Sequence, residues 1–211
     1  MANQLYKTMG FDSNEEMYFD WWLKEILDLR LYESIHFHPI TYSLSSMTEY
    51  PVVRQLKTKV KKETRCLLEK HVYTPDFAIV WHEKAKNYLF RDVEDDSPLG
   101  GKIPFFAQRM SDGKYHTMVE IKPDYDMHNM TREFKINQKW VMDKYSVFVQ
   151  LIKTPSFFKK TFTPNRFLFC NNKSAQPRKI KFNIRARDEF FSLLKKPDNQ
   201  VVKESQTKLT F

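Results

Sequence analysis

The sequence predicts a mixed α/β fold, and three observations lead there. Met17, Phe19, Trp21, Trp22, Leu23, Ile26 and Leu27 recur at helical spacing. Two β-branched and aromatic runs, His71–Trp81 and Tyr115–Lys122, read as strands. A second helical pattern, with Phe134, Trp140, Val141 and Tyr145 on its apolar face, leads into the strand-like run Ser146–Ile152. Helix, strands, helix, strand is the order of a mixed α/β core.

Taken in chain order, Asp12 or Ser13 followed by Glu15 and Glu16 is a helix start, a short polar cap ahead of an acidic first turn. The helix is expected over 13–30. Pro39 breaks the next segment, and 40–50 reads as extended, ending before Pro51. Residues 54–70 are Lys-rich and helical in composition, yet run straight into the strand at His71, so helix and extended chain both stay open there. Pro75 stands at the entrance of the 71–81 strand. Residues 84–113 read as an irregular insertion, with acidic Glu94–Asp96, then Pro98, Gly100 and Gly101. Asp112-Gly113 is a hairpin-turn signal leading into Tyr115–Lys122. Asn129 or Thr131 caps the second helix. Short strands near Arg166–Cys170 and Lys179–Ile184, a helix around Asp188–Lys195 and a polar tail after Pro197 complete the reading.

At 211 residues, 41% hydrophobic and 15% aromatic, the chain can bury a core, which argues against wholesale disorder. Only 4 Gly excludes collagen-like and Gly-rich linker architectures. No stretch approaches the roughly 20 apolar residues of a membrane span. The first residues lack the basic and apolar regions of a signal peptide, so a cytoplasmic protein is expected. Cys66 and Cys170, without CxxC spacing, read as free thiols of a reducing compartment. The net charge is +9, and residues 153–211 hold 14 Lys/Arg against 4 Asp/Glu, so the whole excess lies there. Interleaved with Phe157, Phe158, Phe162 and Phe182, this basic segment suits a polyanion such as nucleic acid.

One constellation carries chemistry. Asp76 sits in Tyr73-Thr74-Pro75-Asp76-Phe77, and Glu120 and Lys122 sit in Val119-Glu120-Ile121-Lys122-Pro123. Period-two geometry puts Glu120 and Lys122 on one face of a strand, with Ile121 on the apolar side. With Asp76 on a neighbouring strand, two carboxylates and an ammonium converge. Such carboxylates repel unless a cation separates them, and a hard, oxygen-preferring ion such as Mg²⁺ fits. Lys122 can then position or activate a water and stabilise charge on a phosphate, which is the arrangement of metal-assisted phosphodiester hydrolysis. Asp112-Gly113-Lys114 and Glu133-Phe134-Lys135 share the acidic-x-Lys pattern but lack the position inside a strand that follows a turn.

These residues resemble the PD-(D/E)xK nuclease superfamily, near TnsA-type transposon nuclease subunits, phage head-completion nucleases and phage endonuclease I-type junction resolvases. The resemblance covers roughly residues 11–152, including a helix at Asn137-Gln138-Lys139-Trp140. It implies a restriction-endonuclease-like central mixed sheet flanked by helices, with a basic C-terminal extension. The nuclease core would span 1–152 with 84–113 inserted, 153–196 would complete the domain, and 197–211 would be a flexible tail. It also implies an Mg²⁺-dependent DNA endonuclease, with Mn²⁺ able to substitute, in phage or mobile-element DNA metabolism. By this carry-over Asp76, Glu120 and the Ile121 carbonyl hold the metal, and Lys122 is the base or electrostatic stabiliser. Glu16, with Glu15 as the neighbouring alternative, supports a second metal or its waters. Pro123 stands where the endonuclease I type carries Gly. The substrate is expected to be a junction, flap or DNA end, and a symmetric junction would favour a homodimer.

DNA contacts are expected from Lys159, Lys160, Arg178, Lys179, Lys181 and Arg185. Lys57, Lys59, Lys61 and Lys62 either track a phosphate backbone from a hairpin or form a solvated face. His36-Phe37-His38 puts two imidazoles on one strand face, but no Cys or third His stands nearby to complete a zinc site. Trp21, Trp22 and Trp140 are expected in the core rather than stacked on bases. The final Gln206-Thr207-Lys208-Leu209-Thr210-Phe211 resembles the QxxLxF peptide that docks on replication sliding clamps, with Gln206, Leu209 and Phe211 as its anchors.

Overall fold

A computed structural model describes residues 5–95, 103–125, 130–169, 178–180 and 182–194. The chain opens with α1 (Leu5–Thr8) and α2 (Asn14–Glu25), followed by a 3-10 turn at Leu27–Leu29. Strands β1 (Tyr32–Phe37), β2 (Tyr42–Ser45), β3 (Thr48–Gln55), β4 (Val60–Leu68), β5 (His71–Tyr73) and β6 (Phe77–Trp81) come next. Then follow β7 (Phe90–Asp92), β8 (Phe105–Arg109), β9 (Tyr115–Lys122), α3 (Met130–Tyr145) and β10 (Val149–Lys153). Helices α4 (Thr154–Lys160), α5 (Asn165–Phe169) and α6 (Arg187–Leu194) complete the described chain.

The architecture is a central mixed sheet with flanking helices, in the order β1-β6-β9-β8-β7, with β10 also on β9. The β1/β6, β6/β9 and β8/β9 pairs are antiparallel, and β7/β8 and β9/β10 are parallel. One edge of β9 changes partner midway: β8 pairs with its start at Tyr115 and His116, and β10 with Met118 through Lys122. Two glutamines close the seam. Gln150 Oε1 accepts from the Phe106 N–H at 2.9 Å and its Nε2 donates to the Pro104 carbonyl at 2.9 Å. Gln108 does the same with the Phe148 N–H at 3.1 Å and the Ser146 carbonyl at 2.6 Å. Backbone groups that no neighbouring strand reaches thus find side-chain partners, as buried main chain requires.

The two faces of the sheet bury different sets. Tyr115, Val119 and Ile121 join α2 and the C-terminal helices in the larger core, while Met118 packs with Tyr42, Tyr73, Phe134, Val141 and Val149 in the smaller one. The larger core is a web of aromatic rings. Phe105 alone lies 5.1 Å from Trp81, 5.5 Å from Phe157, 5.6 Å from Trp22 and 6.3 Å from Phe19, centroid to centroid. The buried indole N–H groups are satisfied where they meet threonine: Trp22 donates to Thr161 Oγ1 at 3.1 Å, and Trp81 to Thr117 Oγ1 at 2.8 Å.

Several sequence expectations change. The helix over 13–30 ends at Glu25 and passes into the 3-10 turn, which Arg30 closes at φ 49°. Of the two alternatives open for residues 54–70, the extended one forms. Val52, Val53, Val60 and Thr64 favour a pleated chain, and β3 and β4 pair around a turn in which the Leu56 N–H donates to the Lys59 carbonyl. The 71–81 strand is cut in two, because Pro75 has no N–H to give a ladder and residues 74–76 step between β5, which pairs with β2, and β6. Residues 84–113, expected to be irregular, carry β7 and β8, both members of the central sheet. The strand expected near Arg166–Cys170 is helical at Asn165–Phe169. Pro164 suits the opening of that helix, and its carbonyl accepts from the Leu168 N–H. No regular structure forms at 178–180 or 182–186, so the strand expected near Lys179–Ile184 is absent among the described residues there. Trp21 and Trp22 are buried, whereas Trp140 is 37% exposed, its ring edge-on to His71 at 5.2 Å. Cys66 is an exposed free thiol. Cys170, Asp96, Pro98, Gly100, Gly101 and Asn129 lie outside the described residues.

Candidate active site

The expected site residues meet at one end of the sheet. β9 ends at Lys122, antiparallel β6 begins at Phe77, and Asp76 therefore stands beside the last residues of β9. Its Oδ2 accepts a hydrogen bond from the Ile121 N–H at 2.6 Å, a contact the strand pairing alone would not make. Ile121 thus meets Asp76 through its amide, while its side chain lies in the larger core. On the opposite side of the pleat, Lys122 Nζ donates to Glu120 Oε1 at 2.5 Å, the pairing that period-two alternation sets up. Glu120 is buried at 6% exposure.

Tyr73, at the end of β5, completes the Glu120 environment by donating its phenol O–H to Glu120 Oε2 at 2.8 Å. In the sequence Tyr73 stands only as the first residue of Tyr73-Thr74-Pro75-Asp76-Phe77. The signal was its position three residues before Asp76, but which way it pointed depended on the break at Pro75. Burial pushes the phenol well above its usual range, and the Glu120 carboxylate pushes further, so Tyr73 stays a hydrogen-bond donor.

Glu16 comes from the first turn of α2. Ser13 caps that helix, its Oγ accepting from the Glu16 N–H at 3.2 Å, and the Glu16 carboxylate returns the contact. Its Oε1 accepts from Ser13 Oγ–H at 2.7 Å and its Oε2 from the Asp12 N–H at 2.9 Å, a variant of the capping box. Glu16 is buried while Glu15 is half-exposed, and the Glu15 carbonyl accepts from Thr154 Oγ1 of the neighbouring helix at 3.4 Å. The helix acid that faces the site is therefore Glu16. Its carboxylate also stands with Asp12 and His38, one ligating atom from each lying within 4.8 Å of the others. His38 takes a left-handed backbone, φ 46°, and its N–H donates to the Asp76 carbonyl at 2.9 Å. His36 is engaged separately, with Ser34 Oγ at 2.9 Å, so the two imidazoles do not form a pair.

The electrostatics follow from this convergence. Burial, then Glu120 and, more weakly, Glu16 raise the Asp76 carboxyl to about 8, against the opposing effect of the Ile121 N–H and Lys122. Burial disfavours the Lys122 ammonium, but Glu120, Asp76 and Glu16 together outweigh it and hold the amine above its ordinary value. Three carboxylates share one ammonium, and the surplus negative charge is felt at Asp76. An excess of oxygen-borne negative charge is what a hard divalent ion would relieve, but the three ligating side chains that come within 4.8 Å of one another among the described residues are Asp12, Glu16 and His38, not Asp76 and Glu120.

The cations expected on DNA divide into two groups. Lys159, Lys160 and Lys179 are exposed. Arg178 is instead engaged with the body, donating to the Tyr18 phenol at 2.9 Å and lying over the Tyr18 and Phe167 rings. Arg185 donates to the Lys160 and Thr161 carbonyls at 2.9 and 3.0 Å, which staples its segment to the end of α4. Lys181, Gln206, Leu209 and Phe211 lie outside the described residues. Lys160 and Lys153 also line a cleft of about 540 Å³ with Arg91, Phe106 and Gln150. Lys153 stands in register beside Lys122, so the cleft borders the strand that carries the site.

No helix among the described residues is long and apolar enough to cross a membrane. No protein-family model, curated protein or solved structure matches the chain.

Proposed function

We propose that this chain is a metal-dependent DNA endonuclease with a restriction-endonuclease-like fold. The observation that carries the reading is the Asp76 carboxylate, which accepts from the Ile121 amide at 2.6 Å beside a Glu120–Lys122 pair at 2.5 Å. Asp76 and Glu120 would hold Mg²⁺ or Mn²⁺, with the Ile121 carbonyl as an added ligand and Glu16 supporting a second ion or its waters. Such an ion supplies Lewis-acid polarisation of a phosphoryl oxygen and lowers the pKa of a bound water.

The chain's own groups do the rest. Tyr73 fixes one oxygen of Glu120, and the Ile121 N–H fixes one of Asp76, so the two carboxylates are oriented before substrate arrives. The Lys122 ammonium sits where it can hold a water or balance charge that develops on phosphate. Exposed Lys159, Lys160 and Lys179 would meet the DNA backbone, with affinity falling steeply as salt rises. A junction, flap or DNA end in phage or mobile-element metabolism is the proposed substrate class. Homodimer formation and docking of the tail on a sliding clamp belong to the same reading.

A second reading rests on Glu120: both of its oxygens are engaged, by Lys122 and Tyr73. On that reading the chain is a DNA-binding module of nuclease fold that cuts little or nothing. Plasmid and branched DNA, incubated with Mg²⁺ or with EDTA, separate the two. The endonuclease reading expects metal-dependent cutting by wild type and none by Asp76→Ala or Lys122→Ala. Cutting that survives both substitutions sinks the site, and DNA retention without cutting favours the module.

A further inference from the structure

Strands β3 and β4 pair with each other from Thr48 opposite Leu68 to Gln55 opposite Val60, and they form a sheet of only two strands. Eight or nine residues at about 3.3 Å each make an arm roughly 25–30 Å long. Every residue of the two strands is exposed except Val52 and Glu63, which are half-buried. A two-stranded hairpin that buries so little is marginal in water by itself. An element of this length, kept out of the core, is one whose use lies outside the fold.

Its charge names the partner. Residues 54–65 carry Arg54, Lys57, Lys59, Lys61, Lys62 and Arg65 against Glu63 alone. Glu63 gathers three of these cations, with Lys61 Nζ at 3.1 Å, Arg65 Nη2 at 3.3 Å and Arg54 Nη1 at 3.8 Å from its oxygens. Arg54 and Lys61 are paired across the ladder, and Tyr50 is paired with Arg65, so this face presents three cations and a phenol. Lys57 and Lys59 flank the turn, and Lys62 lies on the opposite face, across from Val53. Cations on both faces and at the tip suit a ligand that surrounds the arm with negative charge on two sides. The major groove of B-DNA, about 12 Å wide and walled by two phosphate backbones, admits a two-stranded ribbon.

We propose that the β3–β4 ribbon is a DNA-gripping arm that enters the groove of duplex DNA and holds its phosphates through Arg54, Lys57, Lys59, Lys61, Lys62 and Arg65. This rests on DNA being the substrate of the site. The connection between the two is short: β5 begins three residues after β4 ends, and Tyr73 at its far end donates to Glu120. The arm is thereby joined by a short connection to the strand whose Tyr73 orients Glu120.

The test is fluorescence anisotropy of labelled duplex DNA with the full chain in EDTA, where no cutting can occur, across a range of salt. Replacing Lys57, Lys59, Lys61 and Lys62 by Ala should weaken binding by about tenfold or more near physiological salt. The slope of log affinity against log salt should fall by roughly 3 to 4, about 0.9 for each lost phosphate contact. The variant with Arg at all four positions should bind like wild type, and thermal melting of both variants should match wild type, which separates a lost grip from a lost fold. An unchanged affinity and slope in the Ala variant overturns the proposal. So does a shift from dimer to monomer in sedimentation with DNA affinity intact, since the ribbon would then meet a second copy of the chain. Wild type that binds DNA through these lysines yet never cuts it with Mg²⁺ removes the endonuclease reading and leaves the arm standing.

Discussion

Tyr73, a member of the smaller core, and buried Glu120, 47 residues apart in sequence, are joined by a hydrogen bond of 2.8 Å from the phenol to Oε2. The bond links two separate sheets. Tyr73 belongs to the β2–β5 pair and Glu120 to β9 of the central sheet, so the carboxylate is oriented from outside its own ladder. Removing the donor has a defined cost.

Tyr73→Phe keeps the ring and deletes the O–H, leaving a buried carboxylate oxygen without its partner. Such a loss costs about 1–3 kcal/mol. Urea titration of the metal-free protein should show it as a lower midpoint with an unchanged slope. In the endonuclease reading, single-turnover cutting should slow by about tenfold or more with DNA affinity unaltered, as loss of orientation predicts. Unchanged cutting would leave the phenol a packing group only.

Asp76 makes stability depend on pH. Its carboxyl is raised to about 8 in the folded chain, from an ordinary value near 4. A group raised on folding contributes stability that is fully present below its unfolded pKa and lost as pH rises through the folded one. The metal-free protein should therefore lose stability steadily from about pH 4 to pH 8. Lys122 is also raised, but its contribution is intact below about pH 10 and stays constant across this window. Denaturant melts from pH 5 to 8.5 should show the loss in wild type and a flatter profile in Asp76→Asn. In the endonuclease reading, added Mg²⁺ should restore wild type at the alkaline end. A wild-type profile as flat as that of the variant would contradict this account.

Glu16 has two jobs that substitutions can separate. Ser13→Ala removes the cap and should cost about 1 kcal/mol of stability. Glu16→Gln keeps one oxygen to accept from the Asp12 N–H and an amide that can donate to Ser13 Oγ, but removes a charge felt by Asp76 and Lys122. Its melting should stay close to wild type while, in the endonuclease reading, metal-dependent cutting falls. If Glu16→Gln loses stability and keeps full activity, Glu16 is a cap and nothing more.

Phe105 tests whether residues 84–113 belong to the core. Phe105→Ala would strip a ring packed against Phe19, Trp22, Trp81 and Phe157, for a loss of about 3–5 kcal/mol. A dispensable insertion would tolerate the change. Thermal melting or a denaturant midpoint decides between them.

The parts of the fold legible in sequence were those set by local chemistry. The strand Tyr115–Lys122 was read with its observed limits, because alternation and the Asp112-Gly113 turn both mark it. The α2 start was legible through Ser13 and Glu16, whose side chains hydrogen-bond each other. What escaped depended on distant partners. β8 is five residues long and becomes a strand only by pairing with β7 and β9. Residues 54–70 stay open between helix and extended chain in sequence, because lysine content says little about backbone where almost nothing is buried. Within the site, strand alternation placed Glu120 and Lys122 on one face, whereas the approach of Tyr73 followed from a chain break at Pro75 whose direction no local pattern encodes. Arg178 and Arg185 counted toward a polyanion surface by composition, yet each is engaged with protein groups of the body.

The glutamine seam along β9 has a mechanical corollary. Four bonds from two flexible amides do there what a continuous strand would do elsewhere, and the cleft lined by Arg91, Lys153 and Lys160 opens beside them. That margin should yield first when the sheet is strained. The Phe106 and Phe148 amide hydrogens are expected to exchange with solvent sooner than those of the β6–β9 ladder, making the domain stiffest along the strand that bears Glu120 and most compliant one strand away.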